Sequence, residues 1–352
     1  MATVKKIDGC LWIARFCRQN LYQPKNDRIM TRFLFFILCL SALSLEVNAQ
    51  TCCSGGIPIG GNVSLKNNPA GAWQLGLTGD LNILKNLKDG SQKLNDETRE
   101  RNIYTLMLRG GYNITDDLAV GALFPFVRQE RWIVTQAAND YSYTQGLGDL
   151  IIVSQYRLPF STRQNTYQVG LGSKLSTGPA DLESREGITY NMDMQPGTGS
   201  TDWLFFGSFN RRLNNIPGTT LTAKFFYRLT GRNTDYLDET TYQLGNEWQL
   251  VGGLSDQFLW GSHIFNASLL VKARHMKKNQ INGSVISNTG GTWYHLMPSV
   301  TYMPNQQINI SVVPEIPVYS DLNGTQLTTS YRVSASLIVT FGSPSAGSVT
   351  ME

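Results

Sequence analysis

No cysteine follows Cys53, although the chain runs to 352 residues. The bulk of the protein therefore offers neither disulfides nor thiolate metal ligands, which suits a chain handled by periplasmic oxidants and chaperones. Histidine is almost as scarce: His263, His275 and His295 are all there is. No Ser-centred elbow, zinc spacing or phosphate loop accompanies them, so a hydrolase or metalloenzyme finds little support. Gly146-Leu147-Gly148 and Gly197-Thr198-Gly199 are not dinucleotide loops, because no helical pattern follows either. Charge is also sparse, at 16% of residues. Residues 1–49 hold seven of the 30 Lys/Arg and three of the 26 Asp/Glu, leaving the remainder balanced at 23 each. That excludes the clustered basic footprint of a nucleic-acid-binding protein. Long apolar runs are missing too. Phe33 to Leu45 is an apolar stretch of 13 residues, against about 20 for a spanning helix.

That stretch reads instead as the core of a secretory signal. Arg32 supplies a basic start, and Val47, Asn48 and Ala49 a small-residue cleavage site. Residues 30–49 are thus a signal peptide, cleaved before Gln50, with a signal anchor as the rival. Residues 1–29 read as an over-extended start, with Met30 the true initiator. Thr51 before Cys52 is wrong for a lipobox. Cys52 and Cys53 survive processing, as an oxidised vicinal pair or an incidental one; two adjacent cysteines without nearby histidine make a poor metal site.

From about Gly71 to Phe341 the chain shows stretches in which apolar and polar residues alternate. That is the period of a strand with two different faces. Twelve stretches can be placed. One parity is apolar, as in Tyr104, Leu106 and Leu108 of the second, Leu221, Ala223 and Phe225 of the seventh, and Phe265, Ala267 and Leu269 of the ninth. The eighth carries Tyr242, Leu244, Trp248 and Leu250, broken by Asn246. Five connections are short: 115–117, 159–165, 214–218, 255–262 and 304–306. Six are mostly longer and polar: 86–101, 128–145, 178–201, 230–241, 275–291 and 319–328. The two kinds alternate. A twelve-stranded antiparallel up-and-down transmembrane β-barrel explains this, with periplasmic turns, extracellular loops and both termini in the periplasm. Tyr112, Tyr156, Tyr302 and Tyr319 lie near strand ends, where an interfacial girdle is expected. A soluble sandwich or lipocalin-like barrel would also show period two, but not the alternation of connections. The barrel spans 71–341, followed by a tail at 342–352. The Gly-rich segment 50–70 is either a leader or a plug folded into the lumen.

The opposite parity is polar. It carries Asp80, Arg109, Asp149, Arg157, Lys174, Asp202, Arg212, Lys224, Arg228, Glu247, Lys272, Arg274, Glu315 and Arg332. Isolated buried charges are costly, so these must pair with each other or with water. They form a lattice that stiffens a narrow barrel, or line a wet passage, or both. Leu123, Pro125, Ile151, Val153, Leu204, Phe206, Phe226 and Met297 share that parity and offer an apolar strip. Asp149, Lys174 and Asp202 fall at the upper ends of consecutive strands. They are expected to form an acid–base–acid cluster at the extracellular rim. Its role is to anchor the 178–201 loop or to select solutes. His263 is placed in a turn, His275 at the start of a loop and His295 in the lumen.

Three strings carry a family resemblance. They are Gly146-Leu147-Gly148-Asp149-Leu150, Lys174-Leu175-Ser176-Thr177-Gly178 and Gln195-Pro196-Gly197-Thr198-Gly199-Ser200-Thr201-Asp202. With Phe124-Pro125-Phe126-Val127, they make residues 100–341 similar to the outer-membrane barrels named for the "MetA-pathway of phenol degradation". Ser176 departs from the usual proline. The Cys52-Cys53-Ser54-Gly55-Gly56 start resembles barrels of Bacteroidetes-type bacteria. The resemblance implies passive uptake of small, often aromatic or apolar molecules across the bacterial outer membrane, without an enzymatic step. The expected partners are the lipid bilayer, a small solute and, during biogenesis, the barrel-assembly machinery. No cofactor, metal or nucleic acid is expected. A closed barrel whose extracellular loops dock a partner is the alternative, and an outer-membrane hydrolase a second.

Overall fold

A computed structural model describes residues 64–65, 68–134, 139–237 and 239–342. The stretch expected to be a signal peptide, the residues before it, Cys52, Cys53 and nearly all of the tail lie outside this set. Twelve antiparallel strands form a closed barrel. They are β1 (Trp73–Asp89), β2 (Arg99–Asn113), β3 (Leu118–Val134), β4 (Asn139–Leu147 and Ile151–Arg157), β5 (Asn165–Lys174) and β6 (Asp202–Arg212). There follow β7 (Thr219–Leu229), β8 (Glu247–Trp260), β9 (His263–Met276), β10 (Gly291–Met303), β11 (Ile308–Leu322) and β12 (Thr325–Phe341). Each pairs with the next, and β12 closes on β1 from Trp73↔Phe341 to Asp89↔Thr325. Closure leaves no unpaired edge, which a spanning sheet in hydrocarbon requires. No helix among the described residues is long and apolar enough to cross a membrane.

The alternation of the sequence is the alternation of the wall. Leu75, Leu77, Leu106, Leu108, Phe124, Phe126, Val169, Leu171, Phe225, Leu250, Val271 and Leu337 all face outward and are exposed. Their inward neighbours Gln74, Met107, Leu123, Lys174, Phe226, Gln249 and Lys272 are buried. Exposed apolar surface on this scale is tolerable only against lipid. Aromatic pairs mark the rims. Trp73–Tyr112, Tyr167–Phe209 and Phe265–Tyr302, with centroids 4.6, 4.9 and 5.1 Å apart, lie toward the periplasm. Tyr294–Tyr319, at 6.1 Å, lies toward the outside.

Several boundaries differ from the sequence reading. Much of what reads as extracellular loop is strand. Residues 86–89 and 99–101 prolong β1 and β2, 128–134 and 139–145 prolong β3 and β4, and 319–322 and 325–328 prolong β11 and β12. Beyond the bilayer the apolar parity disappears while backbone pairing continues, so polarity there does not mark a loop. Strand β8 begins at Glu247, and Tyr242 and Leu244 belong to the loop before it. Residues 240–243 pair there with 233–236 and 280–281 in a small separate sheet. The short connection 255–262 shrinks to Gly261-Ser262, because β8 and β9 stay paired down to Trp260↔His263. His263 therefore heads a strand. His275 also lies within β9, stacked on Trp248 at 5.9 Å and hydrogen-bonded to the Thr292 hydroxyl at 2.9 Å.

One irregularity positions the site. Phe126 pairs with Leu147 and Leu123 with Ile151, so the three residues Gly148 to Leu150 face only Phe124 and Pro125. This β-bulge reverses the parity of β4: even residues Ser142 and Thr144 point inward above it, odd residues Ile151 and Val153 below. Asp149 occupies the bulge and is fully buried.

Candidate functional site

The lumen has two contrasting walls, which share β4, β6 and β7 at different heights. On β2, β3, β4, β6 and β7, Met107, Ala119, Leu123, Ile151, Val153, Leu204, Phe206 and Phe226 form a buried apolar cluster, joined by Leu65 from the segment before the barrel. Gly170 makes room for it: a Cβ there would lie 2.1 Å from the Phe206 ring.

The other wall is ionic. From β4 round to β1 the inward charges alternate in sign. Lys174 Nζ lies 2.7 Å from Asp149 and 3.3 Å from Asp202, and Arg228 lies 3.3 Å from Asp202. Glu247, the register partner of Arg228, accepts from Arg274 at 2.8 and 3.2 Å. Lys272 pairs with Glu315, the register partner of Arg332, and Arg332 reaches Asp80 at 2.9 Å. Save for β10, which contributes none, successive strands contribute opposite charges, so the ladder is neutral and each member meets a counter-ion.

Not every expected lumen charge belongs to it. Arg157 sits at the periplasmic mouth, half-exposed, and pairs with Asp117 of the turn at 2.6 Å. Arg212 is exposed at the periplasmic end of β6. Arg109 donates to the Ser64 carbonyl at 3.2 Å. Lys224 has neither hydrogen bond nor ion pair among the described residues. It lies within electrostatic reach of Arg109. His295 is buried beside its register partner Lys272, and its Nδ1 has no hydrogen-bond partner among the described residues.

The three motif strings converge at the extracellular ends of β5 and β6. Asp149 accepts from Lys174, from the Gly178 and Thr198 backbone amides at 3.0 Å each, and from the Thr198 hydroxyl at 2.7 Å. Lys174 also donates to Thr198 Oγ1 and, at 2.8 Å, to the Ser200 carbonyl. Asp202 accepts from the Ser200 hydroxyl at 3.1 Å and from the Gly231 amide at 2.9 Å. The glycines allow the backbones to meet: a Cβ on Gly197 would lie 2.3 Å from the Gly178 carbonyl oxygen. The three charged side chains are 0–1% exposed, so they present no face to a passing solute. Their partners Gly178, Thr198 and Ser200 all belong to the 175–201 connection. Its short 3₁₀ turn Met192–Met194 tucks inward, with Met192, Met194 and Gln195 buried. Asp193 pairs with Arg101 at 2.6 Å, and the Gln195 carbonyl accepts from Gln129 at 3.1 Å. Burial pushes the Tyr236 phenol up from its ordinary value. The Met192 backbone lies within its hydrogen-bond reach, which ties the next loop to this one. Sequence reasoning allows a plug from segment 50–70 without singling out Leu65, and of the inward fold of this loop only Pro196-Gly197 and Gly199 give a hint.

No protein-family model matches the chain, and no curated protein matches it. Among solved structures, the COG4313 outer membrane channel from Pseudomonas putida F1 superposes with a TM-score of 0.62 at 11% identity, over 79% of this chain and 99% of that one. The transport unit of the autotransporter AIDA-I from Escherichia coli gives 0.46 at 11% identity, over 81% and 95%. The β-domain of the Bordetella autotransporter BrkA gives 0.44 at 12% identity, over 77% and 100%. The first shares the outer-membrane barrel fold; the other two fit too loosely to add to it.

Proposed function

We propose that this barrel is a passive channel for small organic solutes, aromatic and apolar ones among them, of the kind the phenol-degradation family name denotes. The apolar wall carries the reading. A barrel that needed only stiffness could continue its charge ladder round the whole circumference. Instead β2 and β3 carry no rung of it, and together with β4, β6 and β7 beneath their rungs they turn methionine, leucine, isoleucine, valine and phenylalanine side chains toward the lumen. Ligand passages are typically walls of this sort, with a few polar groups that orient the solute. The Pseudomonas putida neighbour, described as an outer membrane channel, points the same way. Hydrolysis is disfavoured because, among the described residues, the Nδ1 of His295 has no acceptor to orient it as a general base.

One observation favours the closed, docking barrel. Leu65 and the Met192–Gln195 stretch both occupy the lumen. Conductance in a planar lipid bilayer separates the two. Steady ion current from the purified protein, with uptake of small solutes into liposomes, supports the channel. Silence from both the native chain and a Leu65→Ala variant sinks it.

A further inference from the structure

We propose that the niche holding Leu65 is a binding site for a small apolar carboxylate, branched-alkyl or aryl, and that Ser64-Leu65 is its built-in competitor. The inference rests on the channel reading and names the class of solute.

The chain displays the ligand chemistry itself. The Leu65 side chain fills a hollow floored by Gly111 and Gly121, where added Cβ atoms would lie 3.2 and 3.0 Å from its Cδ2. Met107, Leu123 and Val153 belong to the same apolar cluster. Gln155 clamps the segment, accepting from the Leu65 amide at 3.1 Å and donating to its carbonyl at 3.0 Å. The Ser64 carbonyl rests on the Arg109 guanidinium at 3.2 Å. The bound unit is therefore a branched apolar body beside an acceptor oxygen on a cation.

A neutral carbonyl uses this cation poorly. Lys224 adds a second positive charge within electrostatic reach of the first, and meets no acidic side chain among the described residues. The cations of the ladder, Lys174, Arg228, Lys272, Arg274 and Arg332, each have a carboxylate within it. Lys224 thus brings to the apolar wall a positive charge that no rung of the ladder balances. A carboxylate in the place of the Ser64 carbonyl would meet Arg109 with a full charge and draw Lys224 to it. An isobutyl or phenyl group in the place of the Leu65 side chain would fill the glycine-floored hollow.

The test is uptake into liposomes by the full-length mature barrel, comparing isocaproate with isocaproamide and benzoate with benzamide. Each acid should enter about tenfold faster than its amide, the ratio carried by one charge-assisted contact. Lys224→Gln should bring the pair to parity, and Lys224→Arg should keep the preference. Leu65→Ala, a weaker competitor, should raise isocaproate uptake. Should Lys224→Gln fail to fold, the native preference and the Leu65→Ala response still decide. Ion current with equal uptake of acid and amide overturns the ligand class and leaves the channel standing. Unchanged isocaproate uptake in Leu65→Ala overturns the competition. A native barrel and a Leu65→Ala variant that pass neither ions nor solute overturn both readings.

Discussion

Lys174→Met removes one charge and little volume from the most enclosed ion cluster of the barrel. Lys174 is 1% exposed, and its partners Asp149 and Asp202 are 1% and 0%. Taking one member from a buried ion pair costs about 3–5 kcal/mol, because the remaining charge stays desolvated. Two carboxylates are left here, but neither is stripped bare. Asp149 keeps the amides of Gly178 and Thr198 and the Thr198 hydroxyl. Asp202 keeps Arg228, the Ser200 hydroxyl and the Gly231 amide. The loss should therefore fall near the lower end, about 3 kcal/mol, or roughly a hundredfold in the folding equilibrium. Arg157→Met is the control, since its pair with Asp117 is 38% and 42% exposed and should be worth about 0–1 kcal/mol. Guanidinium unfolding in micelles, followed by tryptophan fluorescence, reads the first quantity. Trypsin cleavage after the exposed Arg185 reads the second, the release of the 175–201 loop. Lys174→Met that unfolds with the native protein and is cut no faster at Arg185 would refute the anchoring role. Altered ion selectivity with an intact loop would restore the selectivity role in its place.

Leu106→Arg, on the lipid face, should cost about 2–4 kcal/mol in the same assay. An equal loss from Ser208→Arg in the lumen would mean that the two faces are assigned wrongly. Gly197→Ala should speed cleavage at Arg185, since its new methyl meets the Gly178 carbonyl at 2.3 Å and the two loop segments must part to admit it. Native cleavage kinetics would show that the close approach is not needed. The exported protein should begin at about Gln50, as mass spectrometry of its N-terminus can establish; residues 1–29 found intact on it would dispose of the late start.

The strands were legible because a bilayer imposes one demand on every outward side chain. That demand repeats at period two, and Tyr104, Leu106 and Leu108 satisfy it without help from the rest of the chain. Where the demand stops, so does legibility. Arg128 to Val134 and Asn139 to Gln145 are paired strand above the membrane, where outward side chains no longer have to be apolar. The bulge at Gly148 to Leu150 was hidden because its two flanking segments are each regular; only their relative parity reveals the added residue. Asp149, Lys174 and Asp202 could be brought to one level by counting along neighbouring strands. Thr198, Ser200 and Gly231 could not, since they enter from loops whose paths no periodicity describes. Leu65 was the least legible. One leucine in a Gly-rich leader says nothing of the distant Gly111 and Gly121 that make a hollow for it.

The charge ladder also bears on how the barrel is completed. Most of its rungs join strands that follow one another in the chain: Lys174 to Asp202, Arg228 to Asp202, Arg274 to Glu247. These contacts can form as each hairpin forms. The pair between Asp80 and Arg332 is different, for it joins the first strand to the last across 252 residues of chain. Until those two edges meet, an acid stands at one border of the open sheet and a base at the other. The unfinished cylinder is thus a sheet with oppositely charged selvedges, and sealing it cancels both in the same step that pairs the final backbone seam.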